Sequence, residues 1–278
     1  MMVADLGVLA GPLLVFGGPL SNRPALTELF ALAEGASIPE ASRICTGDVA
    51  GYGADAPGCV ALVRTAGGPV AAGNVERQLA ADAEGCGCGF VAGSACDRLS
   101  GAWYGHARAQ TGAIERTWMA GLPDVLVFTH AGLRCAVIHG GVSDIARYLW
   151  PVSPEAEFAE EVAALAVLAG PVARVYAGHC GLPFRRRVAG VDWVNAGAIG
   201  LPPNDGRPET CYALVDAAGG VSLHRLAYDA GSAAAEMRAA GLVQGYDRAL
   251  LTGLWPSEDV LPLTLRAQSS FSESSANG

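Results

Sequence analysis

Four short turns of this chain each close an apolar run, and each carries a side chain able to offer a lone pair to a cation. They are Thr46-Gly47-Asp48, Ala72-Gly73-Asn74, Ile138-His139-Gly140 and Ala177-Gly178-His179. One carboxylate oxygen, one amide oxygen and two neutral imidazole nitrogens form a mixed oxygen and nitrogen set. Such a set suits zinc, iron or manganese and is poor for calcium. Four donors of this kind can close a tetrahedral structural zinc site, or leave positions for water on a metal of higher coordination number. Taken singly, each turn has a plainer reading. Gly-Asp and Gly-Asn pairs are ordinary turn chemistry, and a lone histidine at a strand end is usually just hydrogen-bonded. The weight lies in the series of four, in order.

The order of these turns and their surroundings, Gly51-Tyr52-Gly53 after Asp48 and Leu182-Pro183-Phe184 after His179, resemble the calcineurin-like metallophosphoesterase family over residues 13 to 226. The resemblance implies phosphoester hydrolysis at a two-metal site placed in such turns. The departures are equally specific. The family's opening Asp-x-His-Gly-Asn turn stands here as Gly18-Pro19-Leu20-Ser21-Asn22, its Gly-Asn-His-Asp/Glu turn as Gly73-Asn74-Val75-Glu76, and its Gly-His-x-His turn as Gly178-His179-Cys180-Gly181.

Sorted by the task each residue would perform, three of one metal's four ligands are gone and all four of the other's remain. The resemblance therefore implies one divalent transition metal, Mn, Fe or Zn, held by Asp48, Asn74, His139 and His179, with no second metal expected. Val75 in place of the family's histidine cannot donate a hydrogen bond, so the usual bimetal reaction is not expected either. A single metal can still lower the pKa of water and polarise one phosphoryl oxygen. Motif adjacency makes Glu76 the candidate base. Asn22 and Arg77 become candidate holders of an anionic substrate, and Cys180, beside a ligand where a cation lowers a thiol's pKa, a further pocket residue.

A second cluster is sulfur. Cys86, Cys88 and Cys96 stand within eleven residues and could bind zinc or an iron-sulfur cluster with a fourth ligand such as Cys180. Their other reading is as small buried residues of a Gly-rich loop, and no Cys-x-x-Cys knuckle accompanies them.

Composition narrows the class of function. The chain has 278 residues, 51% of them hydrophobic and 16% charged, enough for a large core. The net charge of −9 argues against a nucleic-acid partner, which needs a basic surface. The one basic run, Arg185-Arg186-Arg187, reads as solvation of a strand edge, though it follows His179 closely enough to reach a phosphate. The apolar stretch of residues 6 to 16 is preceded by Asp5 and broken by Gly11-Pro12, so it reads as neither export signal nor membrane span. The expectation is a cytoplasmic protein with no membrane partner, whose eight cysteines are reduced.

The donors must be placed by elements that the periodicity predicts. Residues 13–16 read as a buried strand, and 22–33 as a helix with Asn22 as cap and Pro24 in its first turn. Residues 44–46 and 70–72 read as short strands before Gly-bearing turns. Later, 125–130 and 133–139 read as one hairpin, and 211–215 and 221–226 as another, with a helix over 154–168 and strands over 174–177 and 191–194 between them. Parallel strands first and hairpins later suit an α/β fold, the four-layer α/β/β/α sandwich of two mixed sheets that the resemblance also implies. Residues 1–228 read as the main domain. Within it, 84–120 is a Cys- and Gly-rich helical insertion that could cap the site. Residues 229–266 form a helical extension, and 267–278 a disordered Ser-rich tail.

The leading expectation is a metal-dependent phosphoesterase-like hydrolase acting on a small-molecule phosphate ester. Two alternatives stay open: a non-catalytic member whose metal merely ties the loops of a ligand pocket, and a thiol-dependent redox enzyme using the cysteine cluster.

Overall fold

The computed structural model describes residues 1–267, so the predicted Ser-rich tail lies outside them except for its first residue. Among the described residues ten strands form two sheets. The strands are β1 (Val3–Val8), β2 (Leu13–Phe16), β3 (Arg43–Cys45), β4 (Val125–His130) and β5 (Leu133–Val137), then β6 (Arg174–Ala177), β7 (Pro183–Val188), β8 (Val191–Ala196), β9 (Thr210–Val215) and β10 (Val221–Leu226). Eight α-helices accompany them: α1 (Arg23–Gly35), α2 (Ala56–Ala66), α3 (Asn74–Ala80), α4 (Ala95–Gln110), α5 (Ala113–Ala120), α6 (Glu155–Ala169), α7 (Ala230–Ala239) and α8 (Tyr246–Thr252). One sheet runs β1-β4-β5-β6-β8-β7 and the other β10-β9-β2-β3. Both mix parallel pairs, such as β2 with β3 and β5 with β6, with antiparallel hairpins.

Every residue of β2 is buried, because the strand has a core on each side. Leu13 and Val15 join Ile44, Phe128, Val137 and Val194 between the two sheets. Leu14 and Phe16 face the outer layer, where the Phe16 ring meets Phe30 of α1 edge-on at 5.9 Å. On the far side α6 covers the larger sheet, with Phe158 set edge-on to Trp193 at 5.1 Å. Helix, sheet, sheet and helix thus make the four-layer sandwich. The predicted α1 is present, with Pro24 at its start and the Asn22 side chain accepting from Ala25 N–H at 3.2 Å. No helix of the described residues is long and apolar enough to cross a membrane.

Two elements differ from expectation, and a third, the basic run, lies at a strand edge as expected. Residues 70–72 are no strand; Val70 makes a single parallel bridge to Cys45. The stretch before Gly11-Pro12 is a strand, β1, which pairs with β4 at the sheet edge through an irregularity between Asp5 and Val8, so its half-exposed pattern lacks clean alternation. The Arg185-Arg186-Arg187 run lies in β7, the other edge of the same sheet.

The loop after β5 is braced by one buried carboxylate. Glu161 of α6 accepts from Val142 N–H at 2.5 Å, Ser143 N–H at 3.0 Å and Arg147 Nη1 at 2.6 Å, and from the Ser143 hydroxyl. Burial opposes its charge, but these bonds outweigh burial and hold its pKa below the ordinary glutamate value. A lowered pKa means stability that is present above the ordinary carboxylate range and is lost as pH falls through the folded value. We expect Glu161→Gln to cost about 3 kcal/mol in urea unfolding at pH 7. The gap from wild type should narrow on acidification, and a gap that widened would contradict this role.

Candidate metal centre

The four donors arrive from both sheets. Asp48 follows β3 of the smaller sheet, and Asn74 opens α3 after the residues that bridge to β3. His139 stands two residues beyond β5 and His179 two beyond β6, neighbours in the larger sheet. They meet where the strand ends of the two sheets open side by side, where α/β folds commonly bind ligands. The turn at Asp48 is tight: Gly47 has φ +103° and Asp48 itself φ +55°. A Cβ on Gly47 would lie 2.6 Å from the Gly73 nitrogen, so only glycine allows the two turns to touch. Aspartate is among the few side chains that tolerate the left-handed region.

His139 Nε2 is the point of convergence. It lies 3.0 Å from Asn74 Oδ1, 3.0 Å from His179 Nδ1 and 3.2 Å from Asp48 Oδ2. The Asp48, His139 and His179 donor atoms all fall within 4.8 Å of one another. Donors on a tetrahedral ion with bonds of about 2.0–2.1 Å stand roughly 3.3 Å apart, which matches the three distances from His139 Nε2, while the set as a whole spreads wider, to within 4.8 Å. The protonation pattern points the same way. His139 Nδ1 donates to the Thr46 carbonyl at 2.8 Å, which places the imidazole proton there and leaves a lone pair on Nε2. Asn74 Nδ2 donates to the Cys86 carbonyl at 3.0 Å, which turns Oδ1 toward the centre. Four lone pairs then face one point. One proton can relieve one such contact, whereas a cation relieves all four, so the residues present fit a metal.

The electrostatics show the negative charge of Asp48 that a proton on His139, or a cation, would balance. Burial disfavours a charge on His139, but the adjacent Asp48 carboxylate overrides it and raises the histidine's pKa. Asp48, though buried, is held below its ordinary value by His139. His179 goes the other way, driven down to about 3 by burial and by the neighbouring His139. The Ala146 and Cys88 carbonyls act on the ring in the opposite direction without overcoming burial.

Comparison with solved structures identifies this architecture. A metallophosphoesterase from Sphaerobacter thermophilus superposes with a TM-score of 0.67 at 21% identity, over 88% of this chain and 100% of the other. A hypothetical protein of Pyrococcus horikoshii OT3 does so with a TM-score of 0.67 at 17% identity, over 87% and 98%. The chain has the calcineurin-like metallophosphoesterase fold. No protein-family model and no curated protein matches the sequence.

The positions where the resemblance places the two metals share one cavity. Gly18, Leu20 and Gly181, which stand where the resemblance places the other metal's own ligands, line it together with Asp48, His139 and His179. They bring no donor side chain. Around them the cavity opens toward solvent, walled by Tyr52, Phe90, Tyr148, Trp150, Tyr246 and Trp255. Cys88 and Cys96 from residues 84–120, and Ser257 and Val260 from the C-terminal segment, complete the rim. The two rims are tied where Ala95 N–H donates to Asp259 at 2.8 Å.

Three predicted roles need correction. Glu76 is no base at the cavity: it is fully buried and accepts from the backbone N–H groups of Asp48 at 2.7 Å, Gly73 at 2.9 Å and Ala50 at 3.2 Å. Its carboxylate locks the two donor turns together, and burial with the nearby Asp48 charge pushes its pKa up to about 7. Arg77 points away, to Asp124 at 2.6 Å and the Leu122 carbonyl at 2.7 Å. Asn22 is occupied as helix cap and as donor to the Gly200 carbonyl and the Tyr228 hydroxyl.

Cys180 does line the cavity, but burial pushes its thiol up to about 12. Of the eight cysteines expected to be reduced, Cys86 and Cys88 are joined in a disulfide across Gly87. The His, Cys, Asp and Glu donors that converge among the described residues are Asp48, His139 and His179, without the sulfur cluster. The sequence reading missed the aromatic walls. Tyr52 lay in a noted Gly-Tyr-Gly turn, but no motif marks Tyr148 or Tyr246.

Gly73 offers a test, because its φ of −91° suits any residue while its Cβ would lie 2.1 Å from Asp48 Oδ1 and 2.5 Å from the Asp48 backbone nitrogen. We expect Gly73→Ala to displace the Asp48 turn and to lose bound metal by elemental analysis, with circular dichroism checking that the chain still folds. Metal retained at the wild-type level would show that the Asp48 turn is not part of the centre.

Proposed function

We propose that this protein is a metal-dependent phosphoesterase-like hydrolase that uses a single divalent transition metal and acts on a small-molecule phosphate ester. The observation that carries the reading is the meeting of Asp48, Asn74 and His179 donor atoms around His139 Nε2 at the open strand ends of a metallophosphoesterase fold. Those four residues would hold the ion, and their oxygen and nitrogen donors favour zinc, iron or manganese. When bound, such an ion supplies Lewis acidity toward a phosphoryl oxygen and toward water.

The chain's own residues do the rest. Asp48 offers Oδ2 to the centre while Oδ1 accepts from Val75 N–H at 3.2 Å, which fixes the carboxylate plane. The Thr46 carbonyl keeps the His139 proton on the side away from the substrate. Glu76 holds the Asp48 and Asn74 turns in register without touching the cavity. The aromatic walls exclude bulk water, and a lower local dielectric strengthens each charge interaction at the floor. No arginine or lysine lines this cavity among the described residues, which speaks for a small ligand and against a polyanion such as nucleic acid.

Elemental analysis of the purified protein should find one equivalent of transition metal per chain. Replacing His139 with Ala should remove that metal and at least 100-fold of any phosphatase activity, given the usual cost of disturbing a metal's ligand set. A His139→Ala variant that stays metal-free and fully active would refute the reading. Silence of the wild-type protein toward phosphate esters across zinc, iron and manganese would favour a pocket that binds a ligand without turning it over.

A further inference from the structure

The cavity beside Asp48 carries three phenol groups that the proposed reaction has not used. Tyr52, Tyr148 and Tyr246 line it from three separate parts of the chain: the loop after β3, the loop after β5, and α8. Buried tyrosine hydroxyls normally find a hydrogen-bond partner. None of these three makes a hydrogen bond among the described residues, and none is sealed from the cavity as the indole nitrogen of Trp103 is.

Packing fixes their rings. Tyr52 is stacked on Trp103 at 4.4 Å and meets Tyr246 edge-on at 4.8 Å. Tyr148 is stacked on Trp150 at 5.0 Å and lies 4.3 Å from the His179 ring. Three packed tyrosines therefore line a space whose lining includes one carboxylate, Asp48, and no cationic arginine or lysine, and Tyr52 and Tyr246 also border a smaller neighbouring pocket.

Resting on the phosphoesterase reading, we propose that this cavity selects a singly charged phosphodiester with an aromatic substituent, its free phosphoryl oxygens taking hydrogen bonds from the hydroxyls of Tyr52, Tyr148 and Tyr246 and its ring lying against the aromatic walls. Charge and shape each contribute. A phosphate monoester carries close to two negative charges at neutral pH and would normally be met by arginine or lysine, which this lining lacks. A diester carries one charge, and neutral hydroxyl donors can satisfy its oxygens without adding charge. The walls of Phe90, Trp150 and Trp255 favour an aromatic ring over an alkyl chain, because ring-to-ring contacts add to the burial of apolar area.

The test compares three probes by isothermal titration calorimetry on the full-length protein, both as purified and after metal removal by chelation: diphenyl phosphate, dibutyl phosphate and phenyl phosphate. Diphenyl phosphate should bind about 10-fold more tightly than either of the others, and its margin over dibutyl phosphate should persist without metal, since the walls supply it. Tyr148→Phe and Tyr246→Phe should each weaken diphenyl phosphate about 5-fold, the size of one lost hydrogen bond, while leaving the aryl-over-alkyl preference intact.

Equal binding of the aryl and alkyl diesters, or tighter binding of phenyl phosphate, would overturn the proposal. Hydrolysis of each probe is followed in parallel. Aryl preference without turnover upholds this ligand class and refutes the phosphoesterase reading, whereas turnover of all probes without preference does the reverse.

Discussion

Lone pairs aimed at one point repel unless positive charge lies among them, and the local structure around His139 Nε2 is organised to resist that repulsion. In three of the four side chains the second polar atom is tied elsewhere. His139 is committed through Nδ1 to Thr46, Asn74 through Nδ2 to the Cys86 carbonyl, and Asp48 through Oδ1 to Val75 N–H. The centre is thus shaped before a cation enters, which lowers the ordering cost of binding one. Glu76 belongs to this arrangement and not to the chemistry at the cavity. Its three backbone contacts cross-link two turns that Gly47 and Gly73 bring within touching distance.

That geometry depends on the sandwich. Two donors belong to the neighbourhood of β3 and two follow β5 and β6, so their separation is set by how the sheets pack. The layer between the sheets, with Leu13, Val15 and Ile44 facing Phe128, Val137 and Tyr176, is fully buried, and interiors of this density do not deform smoothly. Direct hydrogen bonds then join the two histidine turns: the N–H groups of Gly178 and His179 both reach the His139 carbonyl, at 2.9 and 3.1 Å. A similar set joins the loop after β2 to the Asp48 turn, through Gly18 to Gly47 and Leu20 to Asp48.

What the sequence made legible follows the range of the forces involved. Eight of the ten strands, two of the hairpins and the cap of α1 are written in local periodicity and turn chemistry and were readable, whereas the edge strands β1 and β7 were not. The four donors were readable as a series because each sits in a short turn whose glycine is needed by local backbone geometry. The roles of Glu76, Arg77 and Asn22 were not, since adjacency in a motif says nothing about which way a side chain turns once its helix packs. Glu76 turns back toward its own helix N-terminus, and Arg77 finds Asp124 forty-seven residues away. The aromatic walls were the least legible of all. Their members come from loops and helices scattered from Tyr52 to Trp255, and nothing local marks a tyrosine that will face a cavity instead of a core.

The altered half of the centre and the aromatic walls are linked by charge. A two-metal floor would place strong positive charge against the cavity wall and would demand charged or strongly polar neighbours. With Gly18, Leu20 and Gly181 at that end, the floor carries Asp48 and neutral donors, and apolar rings can approach without stranding charges. The approach has its own effect on the remaining half. Rings that displace water lower the local dielectric, which strengthens the attraction between Asp48 and a cation and lets the hydroxyls of Tyr52, Tyr148 and Tyr246 act on ligand oxygens with less competition from solvent.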